Sequence, residues 1–346
     1  MFFAQQHLGL FALIVFAGLA LSRAVLAACR GGRAGAKTTA RTVSRIGRYR
    51  VRRKLGEGGM GVVYEACDVK AGERVALKLV RGEVTAKRLD RFESEIRILE
   101  RVRHQNVVAL RDQGVAADGS RYLAMELLDG ADLQRVLDEQ GALRPRRVLS
   151  ILSELCEALI AVHAAGVVHR DIKPANVFLC EGGGGHSIKL LDFGLATPAS
   201  DAAELEGSDE IVGSPYGMAP ECFTDPDKAG PAADLYAVGV LAYTLLTGAP
   251  PFARGGVIDI AAQHLYAEPP SLRERCPSAS AGLRAVVASC LEKDAARRPA
   301  SARVLLQALR SCPEARATEL RRRACVDRSL SVRRAGRSRV AQAVAA

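Results

Sequence analysis

The sequence predicts an α+β protein with two lobes, the first built around an antiparallel sheet and the second helical. Between residues 49 and 127, short runs rich in β-branched residues alternate with glycine-containing turns, which is typical of antiparallel strands. Beyond Asp132, apolar residues recur every three or four positions, as they do in amphipathic helices. The chain has 346 residues, which is enough for about two compact units with their own cores.

Charge is distributed unevenly along the chain. Hydrophobic residues make up 49% and charged residues 25%, the composition of a folded globular protein, and the formal net charge is +11. Residues 1–48 hold seven Lys or Arg and no acidic residue, residues 313–346 carry a net charge of +6, and residues 49–312 carry −2. The central body therefore lacks the excess of basic charge that binds polyanions, and we do not expect nucleic acid to be its partner.

The N-terminus is apolar enough to be a membrane anchor. The first 22 residues contain no charge, and a helix from Leu8 to Cys29 would be about 33 Å long, which spans a bilayer. Basic residues follow this run, and the positive-inside rule places them in the cytoplasm. We expect residues 1–29 to form a hydrophobic helix that anchors a cytoplasmic domain at the inner or plasma membrane.

Two other interpretations of the N-terminus stay open. The stretch Leu26 to Cys29 resembles a lipoprotein cleavage box, and an upstream start codon would append apolar residues to a soluble cytoplasmic protein. Residues 30–45 are predicted to form a flexible basic linker, and contact of its basic residues with anionic lipid is a further option. Residues 313–346 are predicted to be a disordered basic tail, because they are rich in arginine and poor in bulky apolar residues. The folded domain is therefore expected to span residues 46–312.

The nine cysteines are scattered, and their odd number and the lack of a C-x-x-C pair are typical of reduced thiols. We expect neither a disulfide framework nor a zinc site. The cytoplasmic location that this chemistry favours agrees with the orientation predicted from the basic residues.

The elements of the two lobes follow from residue periodicity. The first lobe, residues 46–127, is predicted to hold strands at 49–55, 62–66, 74–80, 107–114 and 122–127 and a helix at 86–102. Leu89, Phe92, Ile96 and Leu99 share one face of that helix. The second lobe, residues 128–312, is predicted to hold helices at 149–165, 232–247, 258–265, 281–291 and 300–311.

A glycine-rich motif lies between the first two predicted strands. Residues 56–63 read G-E-G-G-M-G-V-V, in which glycines let backbone N–H groups approach phosphate oxygens. The motif alone is weak evidence, since an ordinary glycine-bearing hairpin has the same letters. A dinucleotide-binding fold needs a helix directly after the glycines, whereas the sequence predicts another strand, so that interpretation fails.

Three further motifs combine polar residues with predicted loops and strands. Lys78 lies in the apolar strand V-A-L-K-L-V, where a charge needs a partner, and Glu95 on the next helix is the candidate. Residues 169–176 read H-R-D-I-K-P-A-N, in a chain with only two Asn and six His. Pro174 excludes a helix interior, so this is a rigid loop. Residues 192–194, Asp-Phe-Gly, follow a strand-like run and are suited to holding a divalent cation.

In order and spacing, these motifs resemble the eukaryotic-like protein kinase family, specifically the bacterial serine/threonine protein kinases, over residues 46–312. The resemblance implies the two-lobed protein kinase fold and ATP-dependent transfer of the γ-phosphoryl group to Ser/Thr hydroxyls of proteins, with autophosphorylation, in signal transduction. It also implies Mg²⁺ as the cofactor, with Mn²⁺ as an alternative. ATP and protein substrates are the expected partners.

The resemblance also implies a role for each site residue. The residues expected to bind ATP are Leu55, Gly56, Gly58, Gly61, Val63, Ala76, Lys78, Glu126, Leu128 and Phe178. Asp171 is expected to accept the substrate hydroxyl proton, Lys173 to neutralise the γ-phosphate and Glu95 to hold Lys78. Asn176 and Asp192 are expected to bind the metal ion.

Regulation and acceptor choice are also read from the resemblance. Lys173 in H-R-D-x-K points to Ser or Thr acceptors, and a phosphate on the segment after Asp192 could pair with Arg170. The candidate phosphorylation sites are Thr197, Ser200, Ser208 and Ser214. Gly217 departs from the family pattern, which has an aromatic residue there. A pseudokinase that only binds nucleotide, and a nucleic-acid-binding protein that uses its arginine-rich ends, are the competing classes of function.

Overall fold

Antiparallel pairing organises the N-terminal lobe. The computed structural model describes residues 45–58, 61–80, 86–181, 187–194, 196–198, 215–225 and 229–315. Six strands form one sheet in the order β1-β2-β3-β4-β6-β5. Their bounds are β1 (Arg45–Ile46), β2 (Tyr49–Gly58), β3 (Gly61–Asp68), β4 (Arg74–Leu79), β5 (Leu110–Val115) and β6 (Arg121–Glu126). The predicted antiparallel sheet is therefore confirmed, with β1 as an additional edge strand.

Alternation along β4 gives the sheet two different faces. Val75, Leu77 and Leu79 point to one side, because successive side chains of a strand point in opposite directions. On that side they form a small apolar cluster with residues of the neighbouring strands: Ile46, Tyr49, Ala66, Tyr122 and Ala124. Ala76 and Lys78 point to the other side, which is the face that receives the helix and the cleft.

The helix α1 (Ala86–Arg101) covers that second face. Phe92, Ile96 and Leu99 lie three or four residues apart and are buried in the main core together with Val80 and Leu123 of the sheet. This is the face that the spacing predicts for a helix of 3.6 residues per turn. The predicted helix at 86–102 is thus confirmed to within one residue.

Helices build the C-terminal lobe. Their bounds are α2 (Leu133–Gln140), α3 (Pro145–Ala164), α4 (Pro220–Thr224), α5 (Pro231–Thr247), α6 (Val257–Tyr266), α7 (Leu272–Arg275), α8 (Ala281–Cys290) and α9 (Ala302–Ser311). The helix α5 is buried on all sides, which explains why its sequence is apolar all round. It packs between α3 and α8, and α9 packs on α3. The five predicted helices are present, while α2, α4 and α7 are additional short ones.

Two small sheets position the polar loop between the lobes. The strands β7 (Gly130–Asp132), β9 (Val177–Cys180) and β10 (Ser187–Leu190) form one sheet, and β8 (Val167–Val168) pairs with β11 (Thr197–Pro198). The loop 169–176 runs from β8 to β9 and ends in a 3₁₀ turn, Pro174–Asn176. Proline opens this turn because the first position of a helix needs no N–H donor.

A buried polar contact ties the lobes together. Asn106, in the loop after α1, donates its side-chain N–H to the Glu154 carboxylate at 3.1 Å and to the Ile188 carbonyl at 3.0 Å. The Ile188 N–H donates to the same Glu154 carboxylate. Because buried polar groups need partners, this contact fixes the end of α1 against β10 and α3.

The described residues contain no helix long and apolar enough to cross a membrane. The predicted anchor, residues 1–29, lies outside the described residues, as do residues 30–44 of the predicted linker and residues 316–346 of the predicted tail. Those predictions stay as stated.

Close packing of α5 against α8 makes the stability sensitive to residue 239. A Cβ atom on Gly239 would lie 2.7 Å from the Cβ of Cys290 and 3.2 Å from Leu291. We expect Gly239→Val to lower the free energy of unfolding by roughly 1–3 kcal/mol, because overpacking forces neighbouring atoms apart. Urea unfolding followed by circular dichroism measures this loss.

The matched control is Gly282→Ala at the start of α8. A Cβ there would have its nearest neighbours at 3.7 Å, which is ordinary van der Waals contact. We expect no loss of stability from this variant, because alanine favours a helix over glycine. Equal losses in the two variants would contradict the packing argument.

Candidate active site

The glycine motif forms the tip of the hairpin between β2 and β3. Gly56 faces Val63 across the hairpin and Gly58 faces Gly61, with residues 59–60 outside the described residues. Gly61 has a φ of +146°, and a Cβ there would lie 1.9 Å from the Leu79 carbonyl oxygen, so no other residue fits. Around Gly56 there is open space within 4 Å of where a Cβ would be. The backbone is therefore accessible on the side of Gly56 and tightly packed at Gly61.

Three elements bring charged side chains together below this hairpin. The Lys78 ammonium on β4 donates to both carboxylate oxygens of Glu95 on α1, at 2.8 and 2.7 Å. It also donates to an Asp192 carboxylate oxygen at 3.2 Å. Lys78 and Glu95 are almost completely buried, whereas the side chain of Asp192 is 39% exposed. The predicted pair of Lys78 and Glu95 is thus present, and Asp192 joins it.

The charged groups of this cluster shift each other's pKa values because they lie close together. Burial alone would lower the pKa of Lys78, but the charges of Glu95 and Asp192 outweigh it and raise that pKa to about 12. Burial alone would raise the pKa of Asp192, and the Lys78 charge reverses that effect, so the pKa lies below its ordinary value. At neutral pH the cluster therefore presents an ammonium group and an ionised, half-exposed carboxylate.

The loop 169–176 assembles a second polar group. The Lys173 ammonium contacts both carboxylate oxygens of Asp171, at 3.0 and 2.7 Å. The Asn176 side-chain N–H donates to the Asp171 carbonyl and to its carboxylate, each at 2.8 Å. Asp171 is buried, and Lys173 is half-buried. The carboxylate is therefore held in one orientation by a cation and an amide.

Asp192 is held next to this loop by the residue that precedes it. The Leu191 N–H donates to the Asn176 carbonyl at 2.8 Å, and the Leu191 carbonyl lies 3.0 Å from the His169 Nε2. The His169 ring also packs edgewise on Phe193. These contacts connect the residues on both sides of Asp192, Leu191 through its backbone and Phe193 through its ring, to the loop of Asp171, so Asp192 lies beside that loop.

A buried carboxylate fixes the backbone of the loop. Asp234 on α5 is fully buried and accepts from the backbone N–H groups of His169 and Arg170, each at 2.9 Å. His163 Nε2 lies 2.8 Å from the same carboxylate. Burial would raise the pKa of Asp234, but these contacts with His163 and His169 lower it. Arg170 has a φ of +62°, a conformation that a non-glycine residue adopts only where its surroundings enforce it.

The part played by Asp234 and His163 was missed from the sequence. Asp234 stands in a helix that is otherwise apolar, and a charge in such a run needs buried partners. That signal indicates a buried contact but does not identify the loop as its partner. Asp192 also has a positive φ, +56°, so two residues of the cleft have strained backbones.

The apolar residues of the predicted site lie on the cleft face of the sheet and beneath it. Val63 lies opposite Lys78 in the β3–β4 register, so their side chains share a face of the sheet. Ala76 stands two residues before Lys78 on the same strand, so its side chain lies on that face as well. Val63, Ala76 and Phe178 are half-buried, whereas Leu55 is 40% exposed. These surfaces are not fully covered by the protein itself.

Glu126 and Leu128 are half-buried where the two lobes join. The Glu126 N–H donates to the Ala109 carbonyl at 3.0 Å, so it is already engaged within the protein. The Glu126 side chain also pairs with Lys189 of β10. A ligand at this point would meet the Glu126 backbone through its carbonyl.

The oxygen donors of the cleft fit a hard divalent cation that also binds a second ligand. Asn176 offers an amide oxygen and Asp192 a carboxylate, and the described residues hold no group of three His, Cys, Asp or Glu that could enclose a metal ion. Mg²⁺ keeps several waters and is held in proteins by one or two side chains together with substrate phosphates. Two oxygen-bearing side chains beside an ammonium match that requirement.

Removing Lys78 should make the stability depend on pH. Burial already raises the pKa of Glu95 although Lys78 opposes this, and in Lys78→Met the carboxyl loses its cation, so its pKa in the folded state rises further above the unfolded value. A raised carboxyl pKa stabilises the fold at low pH, and that contribution is lost as pH rises. We expect a loss of roughly 3–5 kcal/mol at pH 8 and clearly less at pH 5. Urea unfolding at both pH values measures it.

The double variant Lys78→Met/Glu95→Gln is the control. It removes both charges, so its stability relative to the parent should vary little between pH 5 and pH 8. Identical pH dependence of the single and double variants would contradict a buried Glu95 that relies on Lys78.

Comparisons with known proteins agree with this geometry. The family model described as "Protein kinase domain" matches residues 49–309. Similar proteins include the serine/threonine-protein kinases Pkn1 and pkn2 of Myxococcus xanthus, which are 40% and 38% identical over 77% and 76% of this chain. The serine/threonine-protein kinase PknA of Mycobacterium tuberculosis is 37% identical over 68% of it.

These matches cover 38%, 32% and 55% of the lengths of Pkn1, pkn2 and PknA respectively, so the chain corresponds to part of each relative. The family match nevertheless spans most of the chain and includes both lobes, the glycine hairpin, the loop of Asp171 and the Asp-Phe-Gly segment. The sheet-containing first lobe and the helical second lobe are those of the protein kinase fold. The chain belongs to the protein kinase family.

Proposed function

We propose that this chain is an ATP-dependent protein kinase that transfers the γ-phosphoryl group to Ser and Thr hydroxyls. The observation that supports the proposal is the contact of the Lys78 ammonium with the Asp192 carboxylate, next to a loop in which Lys173 and Asn176 orient the Asp171 carboxylate. Phosphoryl transfer needs little covalent chemistry from the protein and depends on positioning and electrostatics. A fixed cation and two fixed carboxylates supply both.

The nucleotide is proposed to lie between the lobes. Gly56, Gly58 and Gly61 cover its phosphates with backbone N–H groups, and Lys78 neutralises the α- and β-phosphates. The adenine is enclosed by half-buried or exposed apolar side chains and meets the backbone where the lobes join. The residues proposed for this contact are Leu55, Val63, Ala76, Glu126, Leu128 and Phe178. Glu95 keeps Lys78 extended, which the two hydrogen bonds between them support.

Asp171 is proposed to receive the proton of the attacking hydroxyl. The hydroxyl oxygen forms a bond to the γ-phosphorus, the bond from that phosphorus to the bridging oxygen breaks, and the proton goes to the Asp171 carboxylate. Lys173, 2.7 Å from that carboxylate, is close enough to neutralise charge on the transferred group. Asn176 and Asp192 would hold Mg²⁺, or Mn²⁺ in its place, which neutralises the charge of the phosphates when it is bound.

Protein Ser and Thr are the proposed acceptors, since Lys173 occupies the loop position that marks such kinases and the named relatives are serine/threonine kinases. Autophosphorylation is proposed at one or more of Thr197, Ser200, Ser208 and Ser214. The kinase domain is proposed to span residues 46–312. Its proposed partners are ATP and the protein substrates of a signalling pathway. Nucleic acid is not proposed as a partner.

Membrane attachment through residues 1–29 is proposed for the N-terminus. The support is the uncharged run of the first 22 residues and the basic residues that follow it. Residues 30–45 then connect the anchor to the kinase domain on the cytoplasmic side, where ATP is available. A soluble cytoplasmic protein is the alternative.

Loss of the Asp171 carboxylate should abolish catalysis and leave nucleotide binding intact. With radiolabelled ATP, Mg²⁺ and a generic basic protein as acceptor, we expect Asp171→Ala to reduce incorporation by about 10²- to 10⁴-fold. The stabilisation of the fold by MgATP in a thermal shift assay should persist. Mass spectrometry after incubation with ATP identifies the autophosphorylated residues.

Asp138→Ala is the control for that experiment. Asp138 is exposed on α2 outside the cleft, so its removal should leave incorporation unchanged. If the parent protein binds MgATP without any transfer to protein, the pseudokinase interpretation is correct and the proposed function is wrong.

Membrane attachment is tested separately by fractionation. We expect the full-length chain to sediment with membranes and to resist a carbonate wash, and a chain that begins at residue 30 to be recovered in the supernatant. The variant Cys29→Ser should sediment with membranes as the parent chain does. If the protein were instead a lipoprotein attached through Cys29, this substitution would release it from the membrane. Full-length protein found entirely in the supernatant would contradict the anchor.

A further inference from the structure

A buried histidine of the helical lobe lies beneath the segment that follows the cleft. His264 on α6 has no exposed surface, and its Nδ1 lies 2.8 Å from the hydroxyl of Tyr236 on α5. Its ring packs edgewise on Phe252, with centroids 4.9 Å apart, and lies tilted against Phe223 of α4 at 6.3 Å. The residue therefore joins α4, α5 and α6 at one point.

The same ring reaches the short 3₁₀ turn Pro215–Gly217. The helices α5 and α6 both pack against this turn. The backbone of Tyr216 lies beside the imidazole, while Nε2 is buried and makes no aligned hydrogen bond to any described residue. A buried polar atom without a hydrogen-bond partner destabilises a protein, so the position of the His264 Nε2 beside the turn requires a physical explanation.

The imidazole is neutral at physiological pH. Burial and the positive charge of Lys293 lower the pKa of His264 to about 4. The Lys293 ammonium donates to the His264 carbonyl at 2.7 Å and lies 4.4 Å from the centre of the Phe252 ring. A neutral ring carries one hydrogen, and when Tyr236 donates to Nδ1 that hydrogen is on Nε2, beside the turn.

Glu221, which lies four residues after the turn, is held by Arg298, and Arg298 in turn contacts Tyr236. The Arg298 guanidinium donates to both oxygens of Glu221 at 2.6 and 2.7 Å. It also lies 4.9 Å from the centre of the Tyr236 ring. Tyr236 thus contacts both Arg298, which holds Glu221, and His264, which lies beside Tyr216.

The turn also lies against the loop that carries Asp171. A Cβ on Gly217 would be 3.3 Å from the carbonyl oxygen of Ile172, the residue directly after Asp171. The side chain of Tyr216, by contrast, is 46% exposed. The position of the turn 215–217 on α6 therefore determines where the exposed ring of Tyr216 lies relative to Asp171.

We propose that His264 is a positioning residue that fixes the turn 215–217 relative to Asp171, and that Tyr216 contacts the protein acceptor there. The inference rests on the proposed function, because it concerns how that reaction receives its protein substrate. It predicts that His264 acts on acceptor binding and leaves ATP binding unaffected, since the contacts described for its ring involve the helical lobe alone.

Two amide variants separate positioning from packing. In His264→Gln the side-chain amide reaches the place of Nε2, whereas in His264→Asn it reaches only that of Nδ1, toward Tyr236. We expect His264→Asn to raise the KM for a Ser/Thr protein acceptor at least tenfold and His264→Gln to raise it less than threefold. The KM for ATP should be unchanged in both.

Tyr216→Ala and Leu309→Ala complete the set. Tyr216→Ala should raise the acceptor KM without lowering the melting temperature, because the side chain is exposed. Leu309 is fully buried on α9, so Leu309→Ala should lower the melting temperature without changing the acceptor KM. The proposal is wrong if Leu309→Ala raises the acceptor KM as much as His264→Asn does, or if the KM for ATP rises in parallel.

Hydrogen exchange tests the same proposal without relying on catalysis. We expect His264→Asn to speed amide exchange in the peptide that covers residues 215–221 at least fivefold, and Leu309→Ala to leave it unchanged. If the parent protein transfers no phosphoryl group but this exchange result holds, the proposed function fails and the positioning of the turn stands. Unchanged exchange in His264→Asn would overturn the positioning role, whatever the kinase activity.

Discussion

The hydrogen-bonded ion pair between Lys78 and Glu95 is the interaction on which the arrangement of the cleft depends. It joins the sheet to the helix α1, and Asp192 attaches the second lobe to it. Two charges this deeply buried are tolerated only because each satisfies the other. The pair therefore defines how α1 lies on the sheet, and with it where an ammonium group meets a carboxylate from the other lobe.

A second constraint comes from the carboxylate of Asp234. It accepts from the successive backbone N–H groups of His169 and Arg170 in the loop 169–176, and Arg170 has a positive φ that costs about 1–3 kcal/mol. The core of the helical lobe, in which α5 is buried on all sides, supplies the stability that offsets this strain. The loop is thus rigid because of a helix that contributes nothing to the surface of the cleft.

Much of this architecture could be predicted from the sequence. Strand and helix periodicity located the sheet, α1 and the five main helices, since those elements bury one face or alternate strictly. The pairing of Lys78 with Glu95 was also predicted, because a charge in an apolar strand needs a partner and the next helix offered one. What periodicity cannot reveal is which distant elements meet.

The residues that were missed illustrate that limit. Asp234, Asn106 and His264 each contact residues far away in the chain. Asp234 and Asn106 bind backbone groups, which leave no mark in the sequence, and the ring of His264 contacts side chains of elements that periodicity does not bring together. Short elements such as α4 and α7 were missed as well, because four or five residues are too few to establish a helical period. The roles of such residues follow only from coordinates.

The anchoring of residues 215–221 to the helical lobe has a broader consequence. The Lys78 cluster depends on the sheet and α1, whereas this segment is secured by α5, α6 and Arg298. Under the proposed function, the part of the protein that would contact the acceptor is therefore held by different elements from those that would hold the nucleotide. In such an arrangement, substitutions in the helical lobe would change which polypeptide is accepted and leave nucleotide binding as it was.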